Sequence, residues 1–127
     1  MGLPLNAKVE AAPNFLSNLV AVHQFFIQQD ADSADARSTK LKAELREMVS
    51  VLQWSPAGGR PARFLAATSI QAQLRLEAVL QLAVQAGLPN LREYVVGQHI
   101  VLYAHSEANV VLLALKHQRQ LVYTADT

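Results

Sequence analysis

The chain has no cysteine, which excludes disulfides, thiolate catalysis and cysteine-ligated zinc and is compatible with the cytoplasm. Aromatic residues make up only 6% of its 127 residues, against 51% hydrophobic residues in all, so the core has to be built mainly from Leu, Val and Ala. Charge of neither sign is in excess: 11 Lys and Arg face 10 Asp and Glu, a formal net charge of +1. That argues against a protein that coats nucleic acid by bulk charge, while leaving room for a local basic patch. Long apolar runs are missing too. The strongest, Val110 to Leu115, falls far short of the ~20 residues needed to span a bilayer. The N-terminus lacks a charged region followed by an apolar stretch, and Asn6 stands where a myristoylation signal wants Ser or Thr. These absences point to a soluble, cytoplasmic protein without a membrane role. The length suits one domain over residues 1–127, and neither an internal repeat nor a low-complexity segment interrupts it.

Catalytic motifs are equally scarce. The four histidines, His23, His99, His105 and His117, stand in no H-E-x-x-H or other metal spacing. His99 and His105 can face the same way, but a third ligand has no candidate, so no metal site is assigned. There is no G-x-S-x-G elbow. Gly58-Gly59-Arg60 is not followed by the Lys and Ser or Thr of a phosphate-binding loop, and Glu93 and Glu107 are isolated carboxylates. No catalytic residue, cofactor or small-molecule substrate is therefore expected.

Helical and strand patterns divide the chain clearly. Residues 7–12 read as a short strand ended by Pro13. From Phe15 to Gln29, Phe15, Leu19, Val22 and Phe26 recur at helical spacing beside a second row, Leu16, Val20, His23 and Ile27. Together these make a wide apolar stripe that predicts a core-facing helix. Asp32 or Ser33 can cap a second helix, which shows Leu41, Leu45, Met48 and Leu52 at the same spacing and a solvated face from Lys40 to Glu47. The short link predicts an antiparallel helical hairpin. Prolines and glycines from Trp54 to Pro61 mark a turn. Thr68 and Gln71 have capping-box spacing for a third helix, which Gly87 and Pro89 stop.

The last third changes to near-continuous apolar runs, which predict a three-stranded antiparallel meander over residues 91–115. Gly97-Gln98 fits a two-residue type II′ turn. A four-residue second turn, Ser106 to Asn109, sets Val110 against His105 and Lys116 against His99. Arg92, Tyr94, His99, Tyr103, His105 and Lys116 then share one face, with Leu91, Val95, Ile100, Leu102, Val111, Leu113 and Leu115 on the other. One layer of helices covers one face only and leaves the other for a partner. The basic group Arg92, Lys116, His117 and Arg119 is the candidate site, since Arg and Lys at a strand end can hold phosphates or acidic side chains from a rigid support.

These residues carry a family resemblance. The order strand, helical hairpin, Gly59-Arg60-Pro61, Leu91-Arg92-Glu93-Tyr94-Val95-Val96, then an apolar strand ending at Tyr103 and Ala114-Leu115-Lys116-His117-Gln118-Arg119-Gln120-Leu121 resembles the RelE/ParE toxins of bacterial type II toxin–antitoxin modules, and the ending resembles the ParE branch. The resemblance implies an α+β fold, an antiparallel β-sheet packed against an N-terminal helical hairpin with an extra helix before the sheet. It also implies a cognate ParD-like antitoxin as partner, a role in plasmid stabilisation, and DNA gyrase as the target, contacted through Arg92, Lys116, His117 and Arg119. RelE-like members instead cleave ribosome-bound messenger RNA and often carry Arg at the position that aligns with Ile100. An apolar side chain there does not stabilise charge on a scissile phosphate. The resemblance thus favours a gyrase inhibitor, with a ribosome-dependent endoribonuclease or a non-toxic interaction protein of the same fold as alternatives.

Overall fold

In the structure, a computed structural model, residues 6–62 and 70–119 are described, except for the side chains of residues 70–76 and 79. The elements run β1 (Lys8–Ala11), α1 (Pro13–Gln29), α2 (Ala31–Trp54), β2 (Arg60–Pro61), α3 (Ile70–Ala86), β3 (Asn90–Val96), β4 (His99–His105) and β5 (Asn109–His117). The fold is α+β. The five strands form one sheet in the order β1-β5-β4-β3-β2, antiparallel throughout except that β1 lies parallel to β5.

Local chemistry accounts for the hairpin. Pro13 opens α1 at a position where its missing N–H costs nothing. Asp30 ends α1 and starts α2: its backbone N–H donates to Phe26 O, and its side chain accepts from Asp32 N. The cap is therefore Asp30 rather than Asp32 or Ser33, and the link shrinks to one residue. Phe15, Phe26, Leu41, Leu45, Met48 and Leu52 are buried against Val96, Val101, Tyr103, Val110, Leu112 and Leu115 of the sheet. The second apolar row of α1 corrects the expectation of one wide core-facing stripe: Leu16, Val20 and Ile27 are exposed, and His23 lies at the seam with α2. The proposed Thr68–Gln71 capping box falls outside the described residues. Gly87 closes α3 with φ of 70°, as a left-handed helix stop requires.

The sheet matches the expected meander with one displacement. Gly97 has φ of 57° and Val96 pairs with His99, so the first turn has two residues with a positive φ at the first. The Ser106–Asn109 turn brings Val110 opposite His105. Leu102 then pairs with Ala114 and Tyr103 with Leu112, leaving Leu113 as an extra residue in β5. This bulge sets Lys116 opposite Ile100, not His99, and His117 opposite His99. Leu115 and Lys116 therefore exchange faces relative to the unbulged register: Leu115 joins the hairpin-side core.

The second sheet face is not open. Leu82, Ala83 and Ala86 of α3 pack on Ile100, Leu102, Ala104, Leu113 and Ala114. Small side chains let this helix approach closely, so the expected bare face is already covered.

α1 also completes the far half of β5. β1 ends opposite Leu112, and beyond it Asn14 Nδ2 donates to Leu113 O at 3.0 Å while Leu115 N donates to Asn18 Oδ1 at 3.0 Å. Two buried asparagines thus take over where the strand neighbour stops. Replacing Asn18 by Ala strips the buried Leu115 N–H of its acceptor and should cost about 1–3 kcal/mol, read as a lower urea midpoint at unchanged slope. An unshifted midpoint would mean that the clasp is not part of the fold's stability.

Candidate functional site

The hairpin and the sheet do not end together. A helix of 24 residues extends about 36 Å and a strand of seven about 23 Å, so the hairpin is longer than the strand it covers, although Phe26 and Leu41 still pack toward the sheet. A cleft of about 1010 Å³ opens between the hairpin, the Gly97-Gln98 turn and the end of β5. Val22, Phe26, Leu41 and Leu115 give it an apolar floor. Arg37, Lys40 and Arg119 bring three permanent cations to its walls against one carboxylate, Glu44. In a chain of net charge +1 this is a concentration of positive charge in a concave surface, where fields are focused.

Two histidines sit at the inner end. His99 is buried, its ring edge-on to Phe26 at 6.1 Å and to His117 at 5.4 Å between centroids. Burial lowers its pKa to about 4, and the neighbouring His117 and Arg37 push the same way. His99 is therefore neutral at physiological pH. His117 Nδ1 accepts from the backbone N of Arg119 at 3.1 Å, which leaves Nε2 as the protonated nitrogen of the neutral ring. Arg37 lies 4.1 Å above the Phe26 ring and donates to Gln29 Oε1, so its guanidinium is held in place at the wall.

The four basic residues singled out in the sequence separate. His117 and Arg119 line the cleft, with Arg119 exposed. Arg92 lies elsewhere, half-buried, donating from Nη1 to Gly59 O at 3.1 Å. Lys116 is buried on the α3-covered face, and its amine is held below the ordinary lysine range by burial, opposed by Glu93 and aided by Arg60. Glu93 itself is buried, 3.8 Å from Arg60 Nε. Arg92 and Lys116 thus belong to the scaffold. Arg37 and Lys40 take their place in the cleft. Their spacing of three, with Glu44 four further on, marks one helical row beside Leu41, and that row was the signal available in the sequence.

A second constellation has the right residue types for nucleophilic chemistry. His23 Nδ1 pairs with Ser38 Oγ, and its Nε2 stands 3.9 Å from Asp35 Oδ1. Ser38 is buried in the middle of α2, where backbone N–H groups are committed to the helix and no pair is free to hold an oxyanion, and Asp35 is almost fully exposed. This is an interhelical tie. Among the described residues no group of three or more His, Asp or Glu is placed to hold a metal ion, and no helix is long and apolar enough to cross a membrane.

No family model matches the chain, and no curated protein matches it either. The cleft has to be read from its own residues.

Its burial of a neutral histidine makes a pH prediction. Between about pH 4 and 6.5 the unfolded chain binds a proton at His99 that the folded chain does not, so stability falls as pH drops through that window. His105, also lowered by burial, adds to the fall. His99→Gln should remove on the order of 2 kcal/mol of the loss between pH 6.5 and 4, measured by urea unfolding at each pH. Equal pH slopes for both proteins would show that His99 titrates normally.

Proposed function

We propose that the chain is the toxin component of a type II toxin–antitoxin module, acting in the cytoplasm, neutralised by a ParD-like antitoxin and inhibiting DNA gyrase. The observation that carries this reading is the end of β5: His117-Gln118-Arg119, the segment in which the chain resembles ParE toxins, forms the lip of the cationic cleft. The α+β arrangement, a helical hairpin on a sheet whose last described strand is flanked by β1 and β4, agrees with it. Arg119 is the principal target contact, since it is exposed at the lip. His117 holds its backbone. Arg37 and Lys40 are added as contacts on the opposite wall. Arg92 and Lys116 support the scaffold instead.

Ile100 weighs against the nuclease alternative. It is buried beneath α3, on the face away from the cleft, and supplies nothing to a scissile phosphate. One observation favours that alternative, a RelE-like ribosome-dependent endoribonuclease: neutral His99 beside His117 in a cationic cleft offers a proton acceptor next to phosphate-binding groups.

Expression of the chain alone should arrest growth, and co-expression of the adjacent small protein should relieve the arrest. Arg119→Ala should abolish toxicity with the melting temperature unchanged, whereas Lys116→Ala should lower the melting temperature. Supercoiling by purified gyrase and translation by purified ribosomes, each with added chain, separate the two mechanisms. Loss of supercoiling with intact messenger RNA is the expected result. Intact supercoiling with cleaved messenger RNA transfers the assignment to the nuclease, and activity in neither assay with no growth arrest leaves a non-toxic interaction protein.

A further inference from the structure

Arg37, Lys40 and Arg119 share more than their place around the cleft. Among the described residues none of them is in an ion pair with a carboxylate, whereas Lys8 pairs with Glu10 and Arg60 lies beside Glu93. At the inner end the ring of His99 is 7% exposed and lines the same cleft, and no described group makes a hydrogen bond with it. A polar ring buried this far normally has such a partner. The floor between these groups is aliphatic, from Val22, Leu41 and Leu115. One concave surface thus combines positive charge that no described carboxylate meets, a buried polar ring without a hydrogen bond, and an apolar patch. We propose that the cleft takes a short acidic polypeptide segment of the target, with an aliphatic side chain on the floor, carboxylates on the three cations, and a backbone N–H or C=O on His99. The proposal rests on the toxin reading only in assigning that segment to the target.

The cations require an anionic occupant, and the rest of the lining selects a peptide over a nucleic-acid strand. A single strand is held by bases stacked on open aromatic faces along a track of cations. Of the two phenylalanines in the cleft, Phe26 is buried with the Arg37 guanidinium 4.1 Å above its ring, and only Phe25 keeps an open ring. Glu44, one helical turn from Lys40, would repel phosphates passing along the same wall. An acidic peptide finds each of its parts met. Arg37 is already fixed by Phe26 and by its bond to Gln29 Oε1, so little side-chain freedom is lost when it grips a carboxylate. Glu44 can accept a backbone N–H of the peptide, and neutral His99 can either accept or donate one hydrogen bond. An aliphatic side chain on Val22, Leu41 and Leu115 supplies an apolar anchor between the charged contacts.

Fluorescence anisotropy of the full chain with a labelled, end-blocked peptide Asp-Glu-Leu-Leu-Asp-Glu tests it. Saturable binding is expected with a dissociation constant below about 0.5 mM, weakening as salt is added. Replacing both leucines of the peptide by serine should weaken binding at least about tenfold, because the floor loses its anchor. Lys-Lys-Leu-Leu-Lys-Lys and a thymidine oligonucleotide of the same length should not saturate. Lys40→Gln should weaken the acidic peptide about fivefold or more with an unchanged melting curve, since Lys40 is exposed. Lys42→Gln, exposed on the same helix but outside the lining, should leave binding as it is. In NMR spectra the ring resonance of His99 should move as the peptide is added, while that of His105, outside the cleft, stays in place. No saturable binding of the acidic peptide would overturn the proposal. So would tighter binding of the oligonucleotide, indifference to Lys40→Gln, or an unmoved His99 resonance. Growth arrest by a chain that ignores the peptide would refute this proposal and keep the toxin reading, whereas peptide binding without growth arrest would keep the cleft's ligand and drop that reading.

Discussion

Asn14 and Asn18 hold the far half of β5 by hydrogen bonds to Leu113 O and Leu115 N, and the arrangement of the functional end follows from that clasp. β1 is four residues long and runs out opposite Leu112. Beyond it β5 would carry unpaired backbone groups into the interior, at a cost of roughly 1–3 kcal/mol each. The asparagine side chains satisfy them at the point where Leu113 bulges out of the β4 ladder. One extra residue then reverses the facing of all that follows. Leu115 turns into the hairpin core and the floor of the cleft, His117 comes beside His99, and Lys116 turns to the opposite face, near Glu93 and Arg60.

That reversal divides two kinds of charge. Lys116, Glu93 and Arg60 lie on the covered face, where ions are tolerated when oppositely charged groups accompany them. Arg37, Lys40 and Arg119 stand around the open cleft, where their charge is available to a partner. The hairpin, the Gly97-Gln98 turn and the end of β5 enclose the cleft. Its floor is apolar, from Val22, Phe26, Leu41 and Leu115, and the buried His99 lines it too. Three of the chain's eleven Lys and Arg residues thus meet at one concave place.

The elements themselves were legible in the sequence. The rows Phe15-Leu19-Val22-Phe26 and Leu41-Leu45-Met48-Leu52, the Gly97 turn and the Gly87 stop are local signals, and each appears where its spacing or backbone preference puts it. The β5 bulge was not legible, because its stabilising bonds join residues 97 and 99 positions apart, and nothing within Asn109–His117 announces it. The bulge displaces only the residues after Leu113: Lys116, a projecting group in the unbulged register, is buried, while His117 and Arg119 line the cleft. The solvated face of α2 was likewise read from charge alone. Arg37 and Lys40 line a cleft because the Gly97-Gln98 turn and the end of β5 come opposite them. α1's second apolar row looked like core because periodicity counts apolar residues without knowing how wide a face the neighbours can cover.

The register of β5 is the claim on which the cleft and the site assignment both rest, and lysine acetylation followed by mass spectrometry measures it directly. The described lysines are Lys8, Lys40, Lys42 and Lys116, and the first three are exposed. With Leu113 bulged, Lys116 is buried on the Ile100 side of the sheet and should react far more slowly than Lys40 and Lys42 in the native chain, then at the same rate once the chain is unfolded. Native Lys116 reacting as fast as Lys40 would mean that it faces outward, that β5 runs without the bulge, and that the cleft described here is wrongly assembled.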